Sequence, residues 1–112
     1  MTDSISFDEF SRLDFRVGKV LEAVDVEKSD KMIRLVVDFG ELGQRIIFTA
    51  IRKWYEAKDL VGQLYVFIFN LEPRPMFGEE SRGMIIAAET EDGEECVLLV
   101  PDKEIAPGVS VH

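Results

Sequence analysis

Fifteen consecutive residues, NLEPRPMFGEESRGM (70–84), carry an asparagine, two arginines, a serine, three glutamates and a Met-Phe pair. The hydrophobic runs QLYVFIF (63–69) and IIAA (85–88) flank this stretch. Such a set is open to acid–base, nucleophilic or binding chemistry. The only histidine is the last residue, His112, so no other imidazole is at hand to activate Ser81, Cys96 or a threonine. No Cys/His cluster has the spacing of a zinc site, and no G-x-x-x-x-G-K-[ST] loop is present to cradle a phosphate. Glu79-Glu80 and Glu94-Glu95 are adjacent acids on turns, where water keeps carboxylates ordinary. The expectation is a binding module, with no enzymatic activity, no metal and no cofactor.

Binding chemistry is better supplied. Arg74 and Arg82 are cations suited to phosphates, while Met76, Phe77 and Met84 offer apolar or flat surface. Pro73 and Pro75 stiffen the chain on either side of Arg74 and lower the entropy cost of presenting it. Lys28 and Lys31 fall in an expected turn, and Arg34 on the outward face of a strand. Lys19, Arg45, Arg52 and Lys53 are further candidates. Each has a plainer reading: strand and turn cations are mostly solubility charges, Asn70 and Ser81 are common turn residues, Met84 fits a core, and Phe77 fits a barrel plug.

The elements that must hold these residues are mostly strands. FRVGKVLEAVDV (15–26) is strand-like, but its apolar phase slips near Gly18, which predicts a bulge or bend there. In DKMIRLVVDFG, residues Ile33, Leu35, Val37 and Phe39 alternate with Met32, Arg34, Val36 and Asp38, the pattern of a half-buried strand. A turn at Glu41-Leu42-Gly43 leads to a third strand, 44–51. RKWYEAKDL (52–60) has helical composition and stops at Val61-Gly62. The run 63–71 is apolar on both faces for six residues, which predicts cover on both sides. MIIAAET and ECVLLV should pair across Asp92-Gly93, and the tail carries a Pro-Gly turn and a last short strand. FDEFSRL (7–13) predicts one or two helical turns with Phe7, Phe10 and Leu13 on one side. Five strands with a short helix between the third and fourth is the order of an all-β, five-stranded Greek-key barrel of the oligonucleotide/oligosaccharide-binding (OB) type; a sandwich is the runner-up.

The chain of 112 residues is the size of one domain, 1–112. No apolar run reaches the roughly 18–20 residues that span a bilayer, and MTDSISFDEF is unlike a secretory signal. The lone Cys96 fits a reducing cytoplasm and reads as a small strand hydrophobe. The net charge is −9, unfavourable for non-specific attraction to nucleic acid. It is also uneven. Residues 1–58 hold ten Lys/Arg and eleven Asp/Glu, whereas 59–112 hold three and eleven, five of those acids within 89–95. A local basic patch therefore remains open.

In order along the chain, FDEFSRLDFRVGKVLEA, SDKMIRLVVDFG, DLVGQ, NLEPRPMFGEESRGMIIAAE and LLVPDKEIAPGVSV resemble one family over about residues 6–111. It is the tRNA-binding domain found at the C-terminus of many methionyl-tRNA synthetases, in free dimeric tRNA-binding proteins and in the endothelial-monocyte-activating-polypeptide domain. The resemblance implies an OB barrel with extra C-terminal elements, a homodimer, and a grip on tRNA by shape and backbone without catalysis or cofactor. An aminoacyl-tRNA synthetase served in trans is an implied partner. By position it places Asn70, Arg74, Ser81, Met84 and Lys31 at the RNA: Arg74 and Lys31 on phosphates, Ser81 on sugar or backbone, Met84 against a base. With Lys28, Arg34 and Arg82 these are the expected RNA-binding residues. The chain departs from the family at Val26-Glu27-Lys28-Ser29, at Glu72, Pro75 and Phe77, at Glu79-Glu80 and at Thr49-Ala50-Ile51. Fewer phosphate contacts imply weaker RNA binding than the family norm. The competing expectation is a secretion-chaperone-like, peptide-binding dimer built on the same barrel.

Overall fold

The computed structural model describes residues 3–112. The main sheet runs β3 (Gln44–Thr49), β2 (Ile33–Asp38), β1 (Phe15–Asp25), β4 (Leu64–Ile68), β7 (Met84–Ile85), with β10 (Ser110–Val111) added to β1. It curls until β3 meets the segment entering β7, where the Arg82 amide donates to the Ile46 carbonyl at 3.0 Å. That closure gives the five-stranded OB-like barrel expected from the element order. The alternation in β2 holds throughout: Ile33, Leu35, Val37 and Phe39 are fully buried and their neighbours are not. Phe39 fills the centre, edge-on to Phe67 (centroids 5.3 Å) and to Phe69 (5.0 Å), a favoured aromatic arrangement.

The bulge of β1 is not at Gly18. The register with β2 slips between Val20 and Glu22. Gly18 answers a different need: a Cβ there would lie 2.6 Å from Val37, 2.8 Å from Phe39 and 2.9 Å from Phe67. The first strand crosses the packed aromatics so closely that no side chain fits. The phase slip in the sequence thus marks a contact, and the bend follows two residues later.

The segment 52–60 is helical only as one 3-10 turn, Ala57–Asp59. Tertiary contacts take the place of helical ones. The Lys53 ammonium donates to the Gly93 carbonyl at 3.0 Å, the Trp54 indole N–H to the Glu94 carbonyl at 3.1 Å, and the Leu98 amide to the Tyr55 hydroxyl at 3.1 Å. They brace the hairpin of β8 (Ala87–Glu89) and β9 (Cys96–Leu98), whose turn lies at the expected Asp92-Gly93. Asp92 accepts from the Glu94 amide and, with less effect, from the Thr90 hydroxyl, which together hold its carboxyl below its ordinary pKa. Cys96 is buried in β9 and its thiol is pushed up by desolvation, then by Glu89.

At the start, α1 (Phe7–Phe10) is one helical turn with a Ser6/Glu9 capping box. Phe7 and Phe10 of this turn, and Leu13 just after it, are exposed. In β4 the inner residues Tyr65 and Phe67 are buried, but Leu64, Val66 and Ile68 are only half-buried. The double cover expected for this strand is therefore incomplete in a single chain. The tail makes its expected turn and strand, with the Gly108 amide on the Val17 carbonyl at 2.7 Å.

Gly18→Ala should cost about 1–3 kcal/mol, the usual penalty for overpacking a filled core. Urea unfolding measures it; a loss below about 0.5 kcal/mol would mean that the aromatic centre yields easily.

Candidate nucleic-acid interface

The stretch 70–84 is a β-hairpin, β5 (Arg74–Met76) with β6 (Glu79–Ser81), and not an open loop. Its two turn residues, Phe77 (φ 49°) and Gly78 (φ 81°), both have positive φ, as a two-residue hairpin of this kind requires. Asn-Gly usually marks that turn, so Phe-Gly hid it. A left-handed phenylalanine costs about 1–2 kcal/mol. A tilted ring contact with Phe48 (centroids 5.5 Å, interplanar 43°) offsets part of the cost. In such a hairpin the pair beside the turn exchanges the main-chain bonds and the next pair does not. Pro75, opposite Glu80 in that next pair, therefore loses no ladder bond for want of an N–H.

The hairpin lies across the outer face of β2 and β3. Glu79 takes the Arg34 guanidinium in a two-point grip, Nε–Oε2 2.7 Å and Nη2–Oε1 2.8 Å. This hydrogen-bonded pairing raises the Arg34 pKa and lowers that of Glu79. Because Glu79 is held below its ordinary value, the pairing contributes stability above the unfolded-state carboxylate pKa. That contribution is lost as pH falls through the lowered, folded-state value.

Between the hairpin and the β7–β8 segment runs a groove of about 320 Å³ with Phe48, Thr49, Ala50 and Ile51 in its lining. Arg74, Ser81 and Met84 line it together, along with Met32, Met76 and Ile85. Met84 is 46% exposed. Ser81 is buried, and its hydroxyl accepts the Phe48 amide at 3.0 Å, so its lone pair closes the barrel beside the Arg82–Ile46 bond. Gly83 fits the same seam at φ 128°, where a Cβ would lie 2.9 Å from the Ile68 carbonyl.

The cations divide into two sets. Lys28, Lys31, Arg74 and Arg82 are exposed and form no ion pair within 4.0 Å among the described residues. Lys31 sits at the groove's β1–β2 end: its carbonyl accepts the Arg52 amide at 3.2 Å, and its neighbour Met32 lines the groove. Arg52 fastens that loop, donating to the Ser29 and Val26 carbonyls and pairing with Asp25 at 3.3 Å. Arg34, by contrast, is committed to Glu79. Asn70 is committed elsewhere too: its Oδ1 accepts the Asp14 amide at 2.9 Å and its Nδ2 donates to the Arg12 carbonyl at 2.6 Å, which ties the N-terminal segment to the end of β4. Lys53 braces the acidic hairpin, and Lys19 lies by Asp38 in a separate shallow depression. Arg45 stacks on Phe69 at 3.5 Å and donates to its carbonyl at 2.5 Å. Burial, and then Arg82, lower its pKa.

Met32, Phe48 and Thr49 were not among the expected binding residues, and Arg52, a further candidate cation, holds the β1–β2 loop instead. One signal was present: in QRIIFTAI, Phe48 falls on the face opposite Ile47, an aromatic pointing out of the barrel.

A closed five-stranded barrel with a groove bordered by its β1–β2 and β4–β7 connections has the architecture of an OB-type ligand-binding module. The chain belongs to the tRNA-binding domain family, matching the family model "Putative tRNA binding domain" over residues 15–110. It is 49% identical over 108 residues to a methionine–tRNA ligase of Methanothrix thermoacetophila and 47% identical over 109 to that of Archaeoglobus fulgidus. The alignments cover 96% and 97% of this chain but 16% of each ligase, so the chain spans about a sixth of the length of these relatives. Among solved structures, a methionyl-tRNA-synthetase-related protein of Pyrococcus horikoshii superposes with a TM-score of 0.92 at 36% identity, covering 99% of this chain and all of that one. The chaperone CsaA of Bacillus anthracis superposes with a TM-score of 0.88 at 34% identity, covering 98% of this chain and all of that one.

Ser81→Ala would leave the Phe48 amide buried without its acceptor, costing about 1–3 kcal/mol. Thermal or urea unfolding measures this. An unchanged midpoint would show that the seam closes without the hydroxyl.

Proposed function

We propose that this chain is a non-catalytic tRNA-binding module that grips folded tRNA by shape and backbone, in the cytoplasm, and serves an aminoacyl-tRNA synthetase in trans. The observation that carries this reading is the convergence of Arg74, Ser81 and Met84 on one groove within a tRNA-binding-domain barrel, in a chain whose Lys28, Lys31, Arg74 and Arg82 are exposed and without ion pairs among the described residues. Lys28, Lys31, Arg74 and Arg82 contact phosphates, and Met84 with Phe48 and Met76 offers apolar surface to an unstacked base. Ser81, Asn70 and Arg34 act mainly through the fold, since their polar groups already have partners. Glu72 and Glu89 stand at the groove or its rim and weaken the grip relative to more basic relatives.

The test is tRNA binding by fluorescence polarisation at about 50 and 200 mM salt. A Kd on the order of micromolar at low salt is expected, weakening steeply at high salt. Arg74→Ala should raise Kd and flatten the slope of log K against log salt by about 0.7–0.9. No binding at low salt would refute the reading. A second reading, a peptide-binding chaperone, is favoured by the similarity to CsaA and by the apolar lining of the groove. It predicts binding of apolar peptides that is nearly flat in salt.

We also propose a homodimer, joined through the half-covered outer face of β4 and the exposed Val97, Leu99 and Val100 near it. Sedimentation equilibrium should give twice the mass of the chain, and a monomer at tens of micromolar would reject it.

A further inference from the structure

The hairpin that carries Arg74 is fastened to the barrel at three points: the tilted Phe77–Phe48 ring contact, the Arg34–Glu79 grip, and the Ser81 hydroxyl that accepts the Phe48 amide. Hairpin geometry explains why they matter to Arg74. Cross-strand partners share a face, so the pairs Arg74–Ser81 and Met76–Glu79 turn the same way, toward β2 and β3, while Pro75 and Glu80 turn to solvent. Fixing Glu79 on β2 and Ser81 on β3 therefore fixes the side from which Arg74 enters the groove. A three-residue, two-stranded hairpin has little stability of its own, and its tip is strained at Phe77. Its orientation must come from these anchors.

We propose that Arg34 and Glu79 form a positioning pair that sets the groove-lining arginine, Arg74, in place for an RNA phosphate, and that Arg34 itself does not contact the RNA. The assignment rests on the tRNA-binding reading above for its ligand. It also removes an apparent contradiction. Glu79 beside a phosphate site is repulsive as a free carboxylate, but here its charge is spent on Arg34, and Glu80 faces away. The two arginines thus differ in kind. Arg74 is an unpaired cation among the described residues, and Arg34 is neutralised by its two-point pairing with Glu79.

A double-mutant cycle with a charge swap separates positioning from contact. The variants are Arg34→Ala, Glu79→Gln, their combination, and Arg34→Glu with Glu79→Arg. Each is titrated with tRNA at several salt concentrations, and hairpin amide exchange is followed without RNA. The expected result is a roughly three- to tenfold loss of tRNA affinity in each single variant, no greater in the combination. The salt slope should stay unchanged, hairpin protection should drop by a similar factor, and the swap should restore most of both. A slope that falls by about 0.7–0.9 in Arg34→Ala alone, with Glu79→Gln neutral or tighter in binding, would make Arg34 a direct phosphate contact and overturn the proposal. Unchanged hairpin exchange in the single variants would overturn it as well. If the wild-type chain binds no tRNA, the functional reading fails, and the exchange data alone decide whether the pair holds the hairpin.

Discussion

One hydrogen bond at the barrel's seam determines much of what lies around it: the buried Phe48 amide donating to the Ser81 hydroxyl. A sheet of this curvature has an exposed edge until its first and last strands meet. Here β3 finds its partner in a short segment that must leave the hairpin and enter β7 within three residues. A side-chain oxygen stands in where the main chain offers no acceptor, and Gly83 lets the backbone pass close to Ile68 and Ile47. The consequence is spatial. Closing the seam in this way brings Ser81, Met84 and the hairpin's Arg74 to one groove, so residues that resemble a ligand set are partly the closure of the barrel itself.

Charge works on a finer scale than its total. The chain carries −9 overall, yet much of the acid is held away from or neutralised near the groove. The acidic turn at 91–95 is braced by Lys53 and Trp54, Asp25 is paired with Arg52 and Glu79 with Arg34. At physiological ionic strength charges more than about 8–10 Å apart are largely screened. The local potential in the groove is therefore set chiefly by the charged residues that line it, Arg74, Glu72 and Glu89. The remote acids lower the rate of encounter more than the strength of the final contact.

The strands, their order and the core face of β2 were legible because period-two alternation reports directly on burial. The acidic hairpin and the terminal strand were legible from Asp92-Gly93 and Pro107-Gly108. Three features were not. Gly18 registers as a broken pattern, and no local signal separates a bulge from a close crossing of Phe39 and Phe67. Residues 52–60 have helical composition, but Lys53, Trp54 and Tyr55 find partners on β9 and its turn, and that preference is invisible along the chain. The hairpin at 74–81 was hidden because Phe77 takes a conformation that asparagine or glycine normally advertises. At the groove, residue type pointed to Arg74, Lys31 and Met84. It could not show that Asn70 and Arg34 are occupied by partners more than forty positions away.

In the proposed complex, tRNA lies in the groove between the β1–β2 loop and the hairpin. Hydrogen-exchange footprinting of the whole chain, with and without tRNA at low salt, tests it most directly. New protection is expected in residues 26–34 and 70–85, with the outer face of β4 unchanged. Absence of any protection, or protection confined to β4 and residues 97–105, would contradict it.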